Sequence, residues 1–339
     1  MAQKYAKDQP AGFTNHIERV AIVGAGGQIG RHMTAALLAS GKHTITALTR
    51  PNSTSKLPAG LKVVPVDYTD EAALVAALAG QQFLIITLAF TAPPDTHSRI
   101  VRAAAAAGVP YVMPNVYTQD LVANEKFGAE SLMGPVLKAH VDEIVSLGVS
   151  APVVLVTGFW YEFSLAAGEP WYGIDVRARR AVLFDGGGAA RVNTTTWPQC
   201  GRGVAALLAL KELPEDEGDA APALSRFANG FVYVSSFRVS QREMLDSVQR
   251  VTGTKDADWE ITTESAAERY KKGVEDAQKG NQLGFARSLY ARAFFPSGEG
   301  DYETHRGLHN EVLGLPKEDL DEATKVAVKM VEDNWSPLG

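Results

Sequence analysis

The sequence has a single cysteine, Cys200, among its 339 residues. One cysteine excludes an internal disulfide and fits a reducing compartment, so a cytoplasmic protein is expected. No His-bearing motif surrounds Cys200, which predicts a small buried residue rather than a nucleophile. Long apolar runs are also lacking, and the polar stretch 1–18 has no apolar core of the secretory type. We therefore expect neither a membrane span nor a secretory leader.

Acidic residues are absent from a long stretch near the N-terminus. Between Arg19 and Val66 there is no Asp or Glu, yet the stretch carries six cations: Arg19, Arg31, Lys42, Arg50, Lys56 and Lys62. The whole chain has a net charge of −6, so the residues outside this stretch sum to −12. A local positive field in an acidic protein predicts a phosphorylated ligand. The acidic balance elsewhere argues against nucleic acid as the main partner.

A glycine-rich turn lies within this basic stretch. An apolar strand over about 17–23 leads into Gly24-Ala-Gly-Gly-Gln-Ile-Gly30, and a helix over about 29–40 follows. In dinucleotide-binding loops one glycine allows the sharp turn, a second lets the backbone approach the pyrophosphate, and a third lets the helix pack on the strand. Free amides at the start of the helix then bind the anion. The predicted cofactor contacts are Gly24, Gly27, Gln28, Ile29 and Gly30.

The second predicted strand ends at Arg50, twenty residues beyond Gly30. An Asp or Glu at this position would accept from the ribose 2′-hydroxyl of NAD, whereas an arginine accommodates the 2′-phosphate of NADP. Lys56 lies in the same basic stretch. Arg50 and Lys56 therefore predict NADP(H) as the cofactor. The alternative is a solvated basic loop after a generic nucleotide-binding turn.

Strands and helices alternate after Arg50, which is typical of a parallel sheet covered by helices on both faces. The apolar stretch 83–90 has the composition of a strand that is buried on both faces. The sequence predicts an α/β fold with a Rossmann-type doubly wound parallel sheet and a smaller C-terminal α+β substrate domain. We place the Rossmann domain at 1–158, with 1–16 as an N-terminal tail, and the substrate domain at 159–339.

The predicted substrate domain contains two stretches with the character of strands. Residues 181–185 and 190–196 flank the glycine run 186–188 and predict a hairpin. We expect strands near 190–196 and 231–235 to return to the main sheet. Aromatic residues near the ends of the predicted strands are candidate walls of an apolar substrate pocket, with core packing as the alternative. These candidates are Phe90, Tyr117, Phe159, Trp160, Trp171 and Tyr172.

Ligands of open α/β sheets bind beyond the carboxyl ends of the strands. Asp67 follows the third predicted strand, where adenine is expected, and Asn115 follows the fifth. Residues at the end of the fourth strand are expected to flank the phosphates and the nicotinamide ribose. Each of these residues is equally compatible with an ordinary strand end. The additional cofactor candidates are Asp67, Thr87, Leu88, Ala89 and Asn115.

The sequence contains no Tyr-x-x-x-Lys, the spacing that short-chain reductases usually use for proton transfer. Lys138 is then the ionisable group of most interest, because a partly buried lysine beside a cationic nicotinamide suits acid–base catalysis. It lies at the edge of an apolar helix face formed by Leu137, Val141, Ile144 and Val145. The alternative is a surface ion pair with Asp142, four residues on. Tyr117 is the second candidate proton donor.

Several of these features together resemble the isoflavone reductase and NmrA-like group of atypical short-chain dehydrogenases/reductases, over about residues 17–210. They are the Gly24–Gly30 loop, Arg50, the missing Tyr-x-x-x-Lys and Leu137-Lys138 before the sixth strand. Segment 158–163 is similar to fungal members. The resemblance implies an NADP-binding Rossmann domain, a smaller substrate domain, and a lysine at position 138 that assists proton transfer or holds the nicotinamide ribose. Segment 113–120 departs from the Pro-Ser-Glu-Phe-Gly type stretch of plant members, which weakens the inference of plant phenylpropanoid substrates.

The leading functional prediction is an NADPH-dependent oxidoreductase that reduces a small apolar, aromatic or conjugated substrate. A non-catalytic NADP(H)-sensing regulator, and a redox-neutral isomerase or cyclase of secondary metabolism, are the alternatives. A small-molecule substrate is the expected partner. The sequence is also compatible with a homodimer. His305 and His309 have the i, i+4 spacing of metal ligands, but no third ligand accompanies them, so no metal is predicted.

Overall fold

The computed structural model describes residues 5–337. Its strands are β1 (Arg19–Val23), β2 (Thr44–Thr49), β3 (Lys62–Pro65), β4 (Phe83–Ile86), β5 (Tyr111–Met113), β6 (Ala151–Val156), β7 (Phe159–Trp160), β8 (Ile174–Asp175), β9 (Arg180–Phe184), β10 (Arg191–Thr195), β11 (Gly230–Tyr233), β12 (Phe237–Ser240) and β13 (Glu260–Glu264). Its α-helices are α1 (Gly30–Ser40), α2 (Glu71–Leu78), α3 (Thr96–Ala106), α4 (Glu125–Glu130), α5 (Gly134–Leu147), α6 (Tyr161–Ala166), α7 (Glu169–Tyr172), α8 (Trp197–Leu208), α9 (Gln241–Thr252), α10 (Ala266–Gln278), α11 (Gln282–Ala293), α12 (Tyr302–Arg306) and α13 (Leu320–Glu332).

The main sheet has seven parallel strands in the order β11-β6-β5-β4-β1-β2-β3. Val23 at the end of β1 is in register with Leu48 on one side and Ile86 on the other. The strand order therefore reverses between β1 and β4, which is where open α/β sheets bind their ligands. Because the strands are parallel, they all end at one edge of the sheet, called the carboxyl edge below.

Helices cover both faces of the main sheet. α1 and α8 lie on one face, in a buried cluster with Ile22 and Ile85, whereas Val23 and Ile86 pack toward α2, α3 and α5 on the other. This burial on both faces explains why β1 and β4 are apolar at every position after Arg19. The sheet and these five helices form the first lobe. The predicted α/β fold with a Rossmann-type parallel sheet is confirmed.

The second lobe contains two three-stranded sheets, β12-β10-β7 and β13-β9-β8, together with the helices packed on them. Its core includes buried side chains from β7, β9, α7, α9 and α11, among them Phe159, Leu183, Tyr172, Leu245 and Leu289. Within residues 5–337, no helix combines the length and the apolar composition that a bilayer crossing requires.

Two expectations about residues 181–196 are wrong. β9 and β10 do not form a hairpin, because β9 pairs with β8 and β13, whereas β10 pairs in parallel with β7 and antiparallel with β12. β10 is therefore the central strand of a three-stranded sheet in the second lobe and does not join the main sheet. β11 does lie in the main sheet, at its edge beside β6. The chain thus enters the second lobe after β6 and returns to the first lobe for α8 and β11.

Candidate functional site

The turn after β1 requires glycine at two positions. Gly24 has a φ of +81°, and a Cβ on it would lie 2.0 Å from the Thr87 carbonyl oxygen. A Cβ on Gly30 would lie 2.1 Å from the Gly24 carbonyl oxygen. The Thr87 hydroxyl donates to the carbonyl oxygens of Val23 (2.8 Å) and Gly24 (3.1 Å). These contacts hold the ends of β1 and β4 together and leave a loop that only glycines can form.

The N-terminus of α1 faces this turn without a protein cap. Ile29 at the N-cap makes no side-chain hydrogen bond to the helix, and the first turn carries no acidic residue. Within residues 5–337, the amides of Gln28, Ile29 and Gly30 have no hydrogen-bond acceptor. Gly27 and Gln28 are exposed. Unpaired amides at the positive end of a helix form a binding site for an anion such as a pyrophosphate.

Basic side chains lie near this anion site. A Cβ on Gly26 would lie 2.9 Å from the Ser55 Cβ, so the loop after β2, which contains Lys56, packs against the glycine turn. Arg50 follows β2 directly. Both Arg50 and Lys56 are exposed, and neither side chain has an ion pair or hydrogen bond with any residue of the described part of the chain. Their charges are therefore available to an anionic ligand.

Asp67 and Tyr68 follow β3 at the same edge. The Asp67 carboxylate accepts hydrogen bonds from the amide and the hydroxyl of Thr69, both at 2.8 Å, and these bonds lower its pKa. Tyr68 donates to the Leu48 carbonyl oxygen at 2.9 Å, and burial raises its pKa to about 12, against the influence of the nearby Arg50 charge. The Tyr68 hydroxyl thus anchors the last residues of β2, directly before Arg50.

Asn115 connects the ends of β4 and β5. Its side-chain oxygen accepts from the Leu88 amide at 3.1 Å, and its side-chain nitrogen donates to the Leu88 carbonyl oxygen at 3.3 Å. The chain then continues to exposed Ala89 and to Phe90, which is 80% exposed. The Phe90 ring lies 5.5 Å from that of Phe285 on α11, centroid to centroid. Phe90 therefore extends from the carboxyl edge to the second lobe.

The amine of Lys138 lies on the outer face of α5. Its side chain is 54% exposed and forms the i, i+4 ion pair with Asp142 at 2.6 Å. Leu137 and Ile144 face the interior, whereas Val145 is 53% exposed and does not belong to the buried face. The lysine side chain is thus only partly buried, and its amine is held by the Asp142 carboxylate. The arrangement is the surface pair that the sequence left as the alternative.

Tyr117 does not open onto the site. The ring is 8% exposed and belongs to the core cluster on the α1 and α8 face. Its hydroxyl has no hydrogen-bond partner within residues 5–337, and burial raises its pKa well above the ordinary value. Cys200 is buried in the same cluster, as expected of a small interior residue. The geometry does not support the expected role of Tyr117 as proton donor or substrate contact, because a hydrophobic core encloses it.

The aromatic residues after β6 fill the interior rather than line an open pocket. Phe159 stacks on Tyr290 with a centroid distance of 3.8 Å, and the Tyr172 hydroxyl lies 2.8 Å from the Thr194 hydroxyl. Trp171 is also buried, and half-buried Trp160 packs against neighbouring aromatic rings. The expectation that these four residues form pocket walls is corrected to core packing. Of the proposed substrate contacts, Phe90 alone is exposed.

Sequence patterns gave no sign of two features of the site. Phe285 is far from Phe90 along the chain and lies on α11, most of whose residues are buried. His97 on α3 is 2% exposed and stacks on His140 of α5.

His309, considered above as one of a metal pair, accepts the Tyr233 amide through Nδ1 at 3.0 Å. No cluster of three or more metal-ligating side chains occurs within residues 5–337.

Acid is expected to destabilise the protein through His97. Burial and the neighbouring His140 lower the pKa of His97 from 6.5 to about 3. The unfolded chain therefore gains a proton as the pH falls through 6.5, whereas the folded protein does not until about pH 3. Between pH 6.5 and 4.5 this favours the unfolded state by about 2 kcal/mol.

The measurement is urea denaturation of the wild type and of His97→Gln at both pH values. The wild type should lose about 2 kcal/mol more than the variant. Burial raises the pKa of Glu162 to about 7, so protonation of this carboxyl stabilises the folded state as the pH falls. Both proteins contain Glu162, so its contribution cancels when their losses of stability are compared. Glu143 on α5 faces His140 and is common to both proteins. Equal acid sensitivity of the two proteins would show that His97 is not the group responsible.

Comparison with known proteins supports the identification of the carboxyl edge as a cofactor site. Residues 24–145 match a family model described as NAD(P)H-binding. The oxidoreductase aprR of Aspergillus flavus is 26% identical over 318 residues, which cover 92% of this chain and 99% of aprR. The matched range runs from the glycine turn through α5. Residues 24–145 therefore have the NAD(P)H-binding character that the family model describes, and the glycine turn lies at their start.

Solved structures share the fold over about nine tenths of the chain. Isoflavone reductase matches with a TM-score of 0.68 and 18% identity, covering 91% of this chain and 98% of that protein. The NADPH-dependent quinone oxidoreductase QOR2 of Escherichia coli, complexed with NADPH, matches with a TM-score of 0.63 and 17% identity, covering 90% and 98%. At these identities the likeness shows the fold. The structural resemblance to isoflavone reductase is confirmed.

Proposed function

We propose that the chain is an NADPH-dependent reductase of small, apolar, aromatic or conjugated substrates such as quinones and enones. The unpaired charges of Arg50 and Lys56 beside the glycine turn support the preference for NADPH. NADPH differs from NADH only in the 2′-phosphate, and a loop with two cations and no acidic residue favours the extra charge. The relatives named as oxidoreductases support the reaction class.

The residues present fit the cofactor from one end to the other. The cradle at Gly24 and Gly30, which a Cβ would fill, together with the free amides of α1, would hold the pyrophosphate. Arg50 and Lys56 would bind the 2′-phosphate, and the loop held by Asn115 would border the nicotinamide ribose. When bound, the reduced nicotinamide supplies the hydride.

Phe90 supports the apolar character of the substrate. A phenylalanine that is 80% exposed leaves a large apolar surface in water, and its contact with Phe285 covers only part of that surface. A flat apolar molecule bound between the two lobes would cover the rest. Since Phe90 borders solvent, water can reach the substrate there and supply the proton that accompanies the hydride.

A substrate screen tests this function. We expect NADPH absorbance at the nicotinamide band to fall in the presence of at least one quinone, enone or aryl ether. Phe90→Ala is expected to raise the KM for that substrate about tenfold, because it removes an aromatic contact of about 1.4 kcal/mol, while NADPH affinity stays unchanged. Val312→Ala, at an exposed apolar position in the second half of the chain, is the control and should not change KM.

Two outcomes would contradict the proposal. Tight NADPH binding without consumption in the presence of any compound of these classes would indicate a regulator that senses the cofactor. An unchanged KM in Phe90→Ala would remove Phe90 from the substrate site.

Lys138→Ala is expected to retain turnover within about twofold. An exposed i, i+4 ion pair contributes only about 0.3–0.5 kcal/mol, so the variant should also remain as stable as the wild type within that range. Steady-state kinetics with NADPH and thermal denaturation check both expectations, with Asp142→Asn as the variant that breaks the same pair from its other end. A loss of kcat of tenfold or more in Lys138→Ala alone, with unchanged NADPH affinity, would instead identify the lysine as an acid–base catalyst.

A further inference from the structure

Two imidazole rings lie stacked between α3 and α5, just behind the cofactor site. The centroids of His97 and His140 are 3.8 Å apart, and their planes differ by 13°. His97 is 2% exposed, and His140 is partly buried. Neither residue has a role in the function proposed above. Their position beside the end of β5 places them next to Asn115.

The hydrogen bond of His97 fixes its tautomer. Its Nε2 lies 3.4 Å from the backbone nitrogen of Asn115 and accepts the hydrogen of that amide. A neutral imidazole that accepts through Nε2 carries its own hydrogen on Nδ1. This Nδ1 is buried, and it has no partner among residues 5–337. An apolar ring would fill the same space without an unpaired N–H, so packing alone does not explain an imidazole here.

The acceptor role of His97 holds across the neutral pH range. Burial lowers the pKa of His97 to about 3 and also lowers that of His140. The Glu143 carboxylate opposes the shift at His140, and is itself bound by the Ser98 hydroxyl at 2.6 Å and by the Arg102 guanidinium at 2.9 Å. Nε2 of His97 therefore stays unprotonated and can accept the Asn115 amide.

Asn115 transmits this anchoring to the cofactor site. The amide of Asn115 is bonded to His97, and its side chain makes two hydrogen bonds to the backbone of Leu88. Leu88 follows Thr87, whose hydroxyl binds the carbonyl oxygen of Gly24. A continuous set of contacts thus runs from the histidine pair to the glycine turn. The loop after β4 is its central element.

We propose that His97, braced by its stack on His140, is a positioning residue that holds Asn115 and the loop after β4 in the shape that receives the nicotinamide half of the cofactor. This inference rests on the proposed function, which places the nicotinamide ribose at that loop. The adenosine half would bind on the other side of β1, near Arg50. The histidine pair should therefore affect one half of the cofactor and leave the other unchanged.

The test compares two ligands by isothermal titration calorimetry. NADPH contains both halves, whereas 2′,5′-ADP contains only the adenosine half with its 2′-phosphate. His97→Leu should weaken NADPH binding about tenfold and change 2′,5′-ADP binding less than twofold. His97→Gln should restore NADPH binding to within about threefold of the wild type, because its amide oxygen can accept the Asn115 amide. His140→Phe retains a stacked ring and should match the wild type, whereas His140→Ala should weaken NADPH alone.

Several outcomes would overturn the inference. Equal weakening of both ligands in His97→Leu would indicate general disruption, and unchanged binding of both would show that the loop needs no anchoring. If His97→Leu does not fold, the His140→Ala and His140→Phe pair decides the question in the same way. The result is also separable from the proposed function. If the wild type does not bind 2′,5′-ADP more tightly than 5′-AMP, the assignment of NADPH as the cofactor is rejected. The histidine variants would then be tested with NADH as the ligand.

Discussion

Gly24→Ala is expected to weaken NADPH binding at least about 100-fold, which corresponds to about 2.7 kcal/mol. Two effects combine at this position. Gly24 has a φ of +81°, which costs an L-residue about 1–2 kcal/mol, and the new Cβ would lie 2.0 Å from the Thr87 carbonyl oxygen. Such an overlap forces the ends of β1 and β4 apart, so the turn loses the shape that presents the α1 amides to the pyrophosphate. Tryptophan fluorescence quenching by NADPH measures the effect.

Gly41 supplies the matched control for this substitution. It ends α1 with a φ of +64°, and a Cβ there would meet nothing within 4 Å. Gly41→Ala should therefore lose about 1 kcal/mol of folding stability while NADPH binding remains that of the wild type. Gly30→Ala, whose Cβ would lie 2.1 Å from the Gly24 carbonyl oxygen, should behave like Gly24→Ala. Wild-type affinity in both loop variants would contradict the placement of the pyrophosphate at this turn.

Arg50→Ala is expected to weaken NADPH binding about 10-fold to 100-fold and to leave NADH binding unchanged within twofold. Hydrogen bonds to charged groups contribute about 1.5–3 kcal/mol, and only NADPH offers the 2′-phosphate to this side chain. The guanidinium has no other ion-pair partner among residues 5–337, so its removal leaves no buried charge behind. Titrations of both cofactors at one ionic strength measure the difference.

Lys42 provides the control for a general effect of removing one positive charge. It is an exposed cation of the same acid-free stretch, but it lies beyond the far end of α1. Lys42→Ala should change neither affinity, whereas Lys56→Ala should weaken NADPH less than Arg50→Ala does. Added salt should reduce NADPH binding more than NADH binding, because screening acts on the additional phosphate charges. An equal loss for both cofactors in Arg50→Ala would reject the arginine as the recognition element for NADPH.

The parts of the fold that the sequence predicted are those with local signals. The glycine turn, the helix after it and the apolar stretch 83–90 each follow from neighbouring residues. The helix ends at Ser40 as expected, whereas β4 stops at Ile86, four residues before the predicted end. Arg50 could be placed at the end of β2 because strand length and turn spacing decide its position. These local elements suffice to predict the cofactor edge of the sheet.

The errors concern contacts between distant parts of the chain. Strand propensity identified 190–196 but did not specify that β7 and β12 would pair with it. Helical periodicity placed Lys138 at the boundary of an apolar face, yet which side of that boundary meets solvent depends on how α5 packs. The stack of His97 on His140 likewise joins two helices that no local pattern relates.

The central claim is that the glycine turn, Arg50 and Lys56 form a site that prefers NADPH. The most direct measurement is a calorimetric titration of the wild-type protein with NADPH and with NADH in the same buffer. The account predicts that NADPH binds about tenfold or more tightly. Equal affinities for the two cofactors, or a preference for NADH, would contradict it.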